Sequence, residues 1–217
     1  MKMVIQCAGS KADHAGFLKT RGGQPVKFVA HPDEAPRSGE FIFAQPDGPS
    51  DVPGKSWRDL LIECNTTAHE NSFGLLEAYR LYQNQIYKEL VLSLGKGNVF
   101  ILSAGWGLVR STYLLPTYDI TFSQSGERYA HRGRHDEYKD FCQLQTDESG
   151  PIIFLGGKDY HLLFQQLTDP LPCKKIVFYA SANPPKHTGW ETVRFEPTCT
   201  NWHYLCAKAL IAGKISF

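Results

Sequence analysis

Four hydrophobic runs in this chain break at their carboxyl ends into small and polar residues, and that repetition narrows the possible folds sharply. Residues 3–6 run into Cys7-Ala8-Gly9-Ser10-Lys11, and residues 99–102 into Ser103-Ala104-Gly105-Trp106-Gly107. Residues 152–155 run into Gly156-Gly157-Lys158, and 176–179 into Ala180-Ser181-Ala182-Asn183. Continuous apolar runs suit strands covered on both faces, the condition of a parallel sheet flanked by helices. Small and polar residues at the carboxyl ends of such strands are how an open α/β sheet builds a pocket. The expected fold is therefore α/β, with a three-layer, mostly parallel sheet.

The segments between these runs fill in the rest. Gly and Pro punctuate residues 22–57, which carry two apolar stretches, 26–30 and 41–44. They read as an antiparallel β-ribbon and loop inserted into the core. A short helix from Trp57 to about Asn65 follows. Leu75, Leu76, Tyr79, Tyr82, Ile86, Leu90 and Leu94 recur at helical spacing, predicting one long helix over 73–94 with Ser72 as N-cap and Gly95 as its stop. Further helices are expected over 136–144, 159–167 and 201–212, the last capped by Thr200, and a final strand over 192–195. At 217 residues the chain suits one domain.

Composition excludes more than it selects. A net charge of +1 gives no general pull toward nucleic acid, so binding of that kind needs a local patch. No apolar run is long enough for a membrane span, and the amino terminus lacks the apolar stretch of a signal peptide. Six scattered cysteines read as the reduced thiols of a cytoplasmic protein.

Lys11 is the first candidate for chemistry. An amine desolvated at a strand end can act as a nucleophile on a sugar carbon; protonated, it can hold a phosphate; the plain alternative is a solvated surface lysine. Cys7 is either a thiol nucleophile or a small core filler beneath the loop. Trp106, between Gly105 and Gly107, either stacks on a base or plugs the core. Asp119 can activate water or balance the positive charge that develops as a glycosidic bond breaks, and it can equally cap a turn. Arg128, Arg132 and Arg134, with His131, His135 and Tyr129, make the local basic patch, suited to phosphates and stacking or simply to solvent. Asn183 has the groups to read a base edge, and Lys186 and His187 follow in the same Pro-rich loop. Cys199, His203 and Cys206 share a helix face, but Trp202, Leu205 and Leu210 make that helix read as core packing rather than zinc.

Four motifs taken together, Cys7-x-x-Ser10-Lys11, Ser103-Ala-Gly-x-Gly-Leu, Pro116-x-Tyr118-Asp119 and Gly157-x-x-Tyr160, resemble an uncharacterised family of small bacterial and phage proteins, the DUF6884 type, related to the peroxide-stress protein YaaA. That group is similar in turn to the uracil-DNA-glycosylase-like domain of archaeosine synthase. The resemblance covers about residues 3–11 and 98–180. It implies a uracil-DNA-glycosylase-like fold and a base-chemistry lysine at Lys11; the pocket residues assigned beside it are Cys7, Ser10, Ser103, Gly105, Trp106, Tyr118, Gly157, Tyr160 and, from the last strand-end loop, Asn183. Two features depart from it. The 22–57 insertion has no counterpart in the family core, and the nearest acid in the first loop is Asp13, so Asp119 takes the acidic role by assignment.

The expectation that follows is a DNA glycosylase acting on a damaged or modified nucleobase, hypermodified phage bases included. The substrate is duplex DNA with a flipped base, and no cofactor, metal, membrane or obligate protein partner is required. Asp119 and Lys11 are the catalytic candidates; Arg128, Arg132, Arg134, Lys186 and His187 are the DNA contacts. The alternatives are a nucleoside hydrolase or deoxyribosyltransferase on free nucleotides, and a DNA-binding stress protein without catalysis.

Overall fold

The computed structural model describes residues 1–67, 71–196 and 199–215. Its strands are β1 (Lys2–Gln6), β2 (Val26–Val29), β3 (Ile42–Ala44), β4 (Leu76–Glu77), β5 (Val99–Ser103), β6 (Gly107–Arg110), β7 (Leu114–Leu115), β8 (Tyr118–Asp119), β9 (Phe141–Cys142), β10 (Ile152–Leu155), β11 (Lys175–Tyr179) and β12 (Trp190–Arg194). The helices are α1 (Trp57–Thr66), α2 (Ala78–Leu81), α3 (Ile86–Leu94), α4 (His161–Thr168) and α5 (Trp202–Ile211).

The main sheet has the order β12-β11-β10-β1-β5-β6-β9. From β12 through β5 all neighbours are parallel, with β1 at the centre between β10 and β5. This is why the four polar breaks meet. In register, Gln6 lies beside Leu102 and Ile5 beside Leu155, so the loops after β1, β5 and β10 leave the same edge. Val4, Ile5, Ile101, Leu102, Ile153 and Leu155 are fully buried. At roughly 1.5–3 kcal/mol per buried aliphatic side chain, this inner ladder contributes substantially to stability. The helices α3 and α5 pack on each other and reach β5 and β10, while α4 packs at β6 and β9, with Phe164 stacked on Phe154 at 4.3 Å. No helix among the described residues is long and apolar enough to cross a membrane, and all six cysteines are unbridged.

Four expectations about local structure are corrected. The inserted ribbon is parallel: β2 pairs with β3 in register Val26↔Ile42 and with β8 in register Val29↔Asp119, a three-stranded sheet in the order β3-β2-β8. The chain between β2 and β3 returns to its starting end through a 3₁₀ turn at Pro32–Glu34, so a hairpin is never made. The helix expected over 73–94 is interrupted. Leu76–Glu77 is extended, and Tyr82 leaves helical geometry (φ −91°, ψ 136°) to form an antiparallel bridge with Lys11. Its apolar spacing was genuine, but tertiary pairing overrides it; the one-turn α2 and the longer α3 keep the form, and α3 ends at Gly95 as expected (φ 81°).

The helix expected over 136–144 does not exist. Phe141–Cys142 pairs parallel with β6, and the Phe141 N–H donates to the Trp106 carbonyl at 2.9 Å. The turn into β6 needs Gly107: its φ is +85°, and a Cβ there would lie 2.5 Å from the Phe141 oxygen. Finally, α5 is entered from Asn201, whose side chain makes no capping bond, rather than from Thr200.

In α5, His203 and Cys206 are buried and Cys199 is exposed. Among the described residues no three His, Cys, Asp or Glu side chains are grouped as a metal site needs. The His203 Nε2 has no hydrogen-bond partner, and burial pushes its pKa down to about 4. A folded pKa below the unfolded value of 6.5 makes the sign definite. The stabilisation is whole above pH 6.5 and is lost as pH falls toward 4, by roughly 3 kcal/mol in all. Urea midpoints for His203→Gln should therefore fall less steeply between those pH values than those of the parent. Equal acid slopes would mean that His203 is not the group responsible.

Candidate functional site

At the carboxyl edge of β1 and β5 lies a buried cluster of hydroxyls and one thiol. Ser103 Oγ donates to Tyr118 Oη at 2.9 Å, and Tyr118 Oη lies 2.8 Å from Tyr82 Oη. Cys7 Sγ lies 3.1 Å from Tyr160 Oη and accepts weakly from the Ala104 N–H at 3.5 Å. Ser103 Oγ also accepts from the N–H groups of Gly105 and Trp106, each at 3.2 Å, which fixes its proton toward Tyr118. Burial, and after it the neighbouring Cys7, hold Tyr82, Tyr118 and Tyr160 well above the usual phenol range. The three phenols are thus neutral at physiological pH and form a hydrogen-bonded floor with Ser103 and Cys7. Tyr82 belongs to it through the bridge that breaks the expected long helix.

Above this floor sits Lys11. Its Nζ lies 4.1 Å from the centroid of the Tyr118 ring and donates to the Gly9 carbonyl at 3.1 Å. The loop that carries it is held by two backbone bonds, Ala12 N–H to Leu81 O at 2.7 Å and Gln83 N–H to Ser10 O at 3.3 Å. Burial lowers the Lys11 pKa; Cys7 and Asp119 oppose that shift, and the positive charge of Lys27 adds to it. Asp119 lies on β8, immediately after Tyr118, and its Oδ2 is 3.8 Å from Lys27 Nζ on β2. Tyr129 stands close enough to Asp119 for that carboxylate to help raise its pKa, second to burial. Lys11, Tyr118 and Asp119, expected from separate motifs, are thus brought together. Lys27 and Tyr82 were not anticipated, because strand pairing in the inserted sheet and the helix break bring them in.

The loop after β5 is clamped from behind. Arg132 is 5% exposed; it donates to the Ala104 carbonyl at 2.7 Å and pairs with Asp140 through both oxygens, at 3.0 and 2.5 Å. Arg58 does the same one step along: it reaches the carbonyls of Gly105 and Trp106 at 3.3 Å and pairs with Asp47 at 2.5 Å. Two buried guanidinium–carboxylate pairs therefore satisfy three successive carbonyls. Arg132 sits inside the fold, with Tyr138 stacked on it at 3.8 Å, rather than on the surface of a basic patch. Trp106 is fully buried and packs edge-on against Phe28 at 5.1 Å, as a core plug. Gly105 sits in a tight spot, since a Cβ there would lie 3.1 Å from the Ile120 side chain and 3.3 Å from the Tyr118 ring.

The remaining candidates are more dispersed. Ser10 is exposed, and the Gly157 N–H is tied to Gln6 Oε1 at 2.6 Å. Arg128 is exposed and pairs with Glu34 at 2.9 Å, and Arg134 and Lys186 are exposed. Asn183 is exposed at the end of β11, two strands from β1, or about 10 Å at ordinary strand spacing. His187 stacks on Trp190 at 4.4 Å and lies 3.4 Å from Asp169. A broad cleft of about 790 Å³ opens beside this edge, between the 132–140 segment and α4. Arg134, His135, Tyr138 and Lys139 line it, and so does Phe122, whose ring meets Tyr160 edge-on at 5.0 Å. No family model, no curated protein and no solved structure matches this chain.

Proposed function

We propose that this protein is a DNA glycosylase that releases a damaged or modified base, with Lys11 as nucleophile and Asp119 as its acid–base partner. The observation that carries the reading is the setting of Lys11: an amine at the end of β1, its pKa lowered by burial, laid on the Tyr118 ring with Asp119 within coulombic reach. A desolvated amine beside a second cation is how proteins keep a lysine uncharged and nucleophilic near neutral pH. The α/β fold, with its parallel core strands ending at one edge, supports the reading, and a three-layer, glycosylase-like arrangement is part of what we propose.

In this scheme the Lys11 lone pair attacks C1′ of the flipped nucleotide, and the electrons of the N-glycosidic bond leave with the base. The ammonium formed on attack passes a proton through one water to Asp119, which returns it to the departing base. Ring opening of the sugar gives an imine to Lys11. Water hydrolyses that imine, leaving the abasic aldehyde and restoring the amine. Arg128, Arg134, Lys186 and His187 hold phosphates, and the 790 Å³ cleft with Arg134 and Lys139 offers a path for the strand. Extruding the base costs a few kcal/mol, less for a mispaired or modified one, and this biases the enzyme toward such bases.

The test is a panel of duplexes carrying normal, deaminated, oxidised, hydroxymethylated or glucosylated bases, scored for abasic sites by alkali-sensitive breaks. Release from one substrate, absent with the others, is the expected result. Retention of duplex without release on any substrate would point to a non-catalytic binding protein. Cleavage of free nucleosides with no retention of any duplex would point to a nucleotide-pool hydrolase.

A further inference from the structure

The inserted sheet does more than cover the site, because it supplies both of the charges that face Lys11. Parallel pairing of β2 with β8 sets Phe28 beside Tyr118 and Val29 beside Asp119. Phe28 and Tyr118 turn into the core, where Phe28 packs on Trp57 and Trp106. Alternation along the strands then leaves Lys27 and Asp119 outside that core, 29% and 42% exposed, with Lys27 Nζ 3.8 Å from Asp119 Oδ2. Lys11 has no carboxylate within ion-pairing distance among the described residues; its contacts are the Gly9 carbonyl and the Tyr118 ring.

We propose that Lys27 is a positioning residue of this site: by engaging Asp119 it keeps Lys11 free of a carboxylate partner. Two amines compete for one carboxylate, and Lys27 holds it. The groups facing Lys11 are the Cys7 thiol just after β1, the Tyr118 ring, Asp119 from β8 and Lys27 from β2, and its backbone bridges Tyr82. Asp119 is in turn faced by Tyr129. Of these, only Lys27 adds positive charge, so removing it favours the ammonium form of Lys11 twice, by lifting repulsion and by releasing Asp119. The role assumes the site described above, although its test does not depend on the base-release reaction.

The experiment measures the rate of Lys11 acylation by acetic anhydride against pH, read by peptide mass spectrometry on the intact folded protein. Lys27→Met should move the midpoint for Lys11 upward by about one pH unit. Lys27→Arg should restore it, and Asp119→Asn should move it downward. A midpoint that stays in place in Lys27→Met, with a native near-ultraviolet spectrum, would overturn the proposal. Lys27→Gln serves as a second neutral variant if the Met variant misfolds. An inactive protein with the expected midpoint shifts would sink the glycosylase reading and leave this one standing.

Discussion

Replacing Lys11 by alanine should lower base release by on the order of 10³-fold or more, while thermal stability changes little. The amine is half-buried and makes one backbone bond, so its structural contribution is small. Its chemical contribution is the covalent step, and no other amine shares its position on the Tyr118 ring. Borohydride added during turnover should reduce the imine and leave a stable protein–DNA adduct on the peptide containing Lys11. Lys11→Arg separates the two roles open to a lysine here. An arginine keeps a positive charge for a phosphate but stays protonated and forms no imine, so it should bind DNA and fail to react. If Lys11→Ala releases base at the parental rate while Asp119→Asn does not, water activated by Asp119 is the nucleophile, and the lysine mechanism is wrong.

Arg132→Ala should cost about 3–5 kcal/mol of folding stability, far more than any change in the exposed arginines. The guanidinium is 5% exposed, and its removal strands two partners at once. Asp140 becomes an unpaired carboxylate whose burial already pushes its pKa up against the pull of Arg132. The Ala104 carbonyl loses its donor at the centre of the clamped loop. Arg134→Ala, on the exposed part of the same segment, should change stability by no more than about 0.5 kcal/mol and weaken DNA retention instead. Urea titrations of both variants, beside an Arg132→Met/Asp140→Leu double variant, separate the terms. The double variant should recover much of the loss, because replacing both members of a buried pair removes the stranded charge. Equal stability of Arg132→Ala and the parent would show that the buried pair holds nothing.

The parallel core was legible because its signal is local and repeated. Continuous apolar runs ending in small residues can be satisfied by few other arrangements, and the four strands at 2–6, 99–103, 152–155 and 175–179 follow. The short helix expected from Trp57 to about Asn65 is α1, and the structure adds the capping box of Ser56 and Asp59 that starts it. Lys11 was nameable as a candidate because it stands at the break after an apolar run, while Tyr118 and Asp119 were named from the Pro116-x-Tyr118-Asp119 motif. What local patterns could not supply was pairing across distance. Tyr82 sits in a stretch with helical spacing, yet its backbone bridges Lys11 and its hydroxyl meets Tyr118. Phe141 continues a helix-like spacing from Tyr138, yet the open edge of β6 captures it. Arg132 carries the same sequence signature as Arg134, and only the position of Asp140 makes one a buried clamp and the other a surface cation. The sequence by itself determined the four core strands, their parallel sense and the edge where polar residues collect, since burial on both faces is written residue by residue. The tertiary structure alone decided which charges face Lys11, because the energy of a buried ion or hydroxyl depends on its partners, and those come from strands and loops far away in the chain.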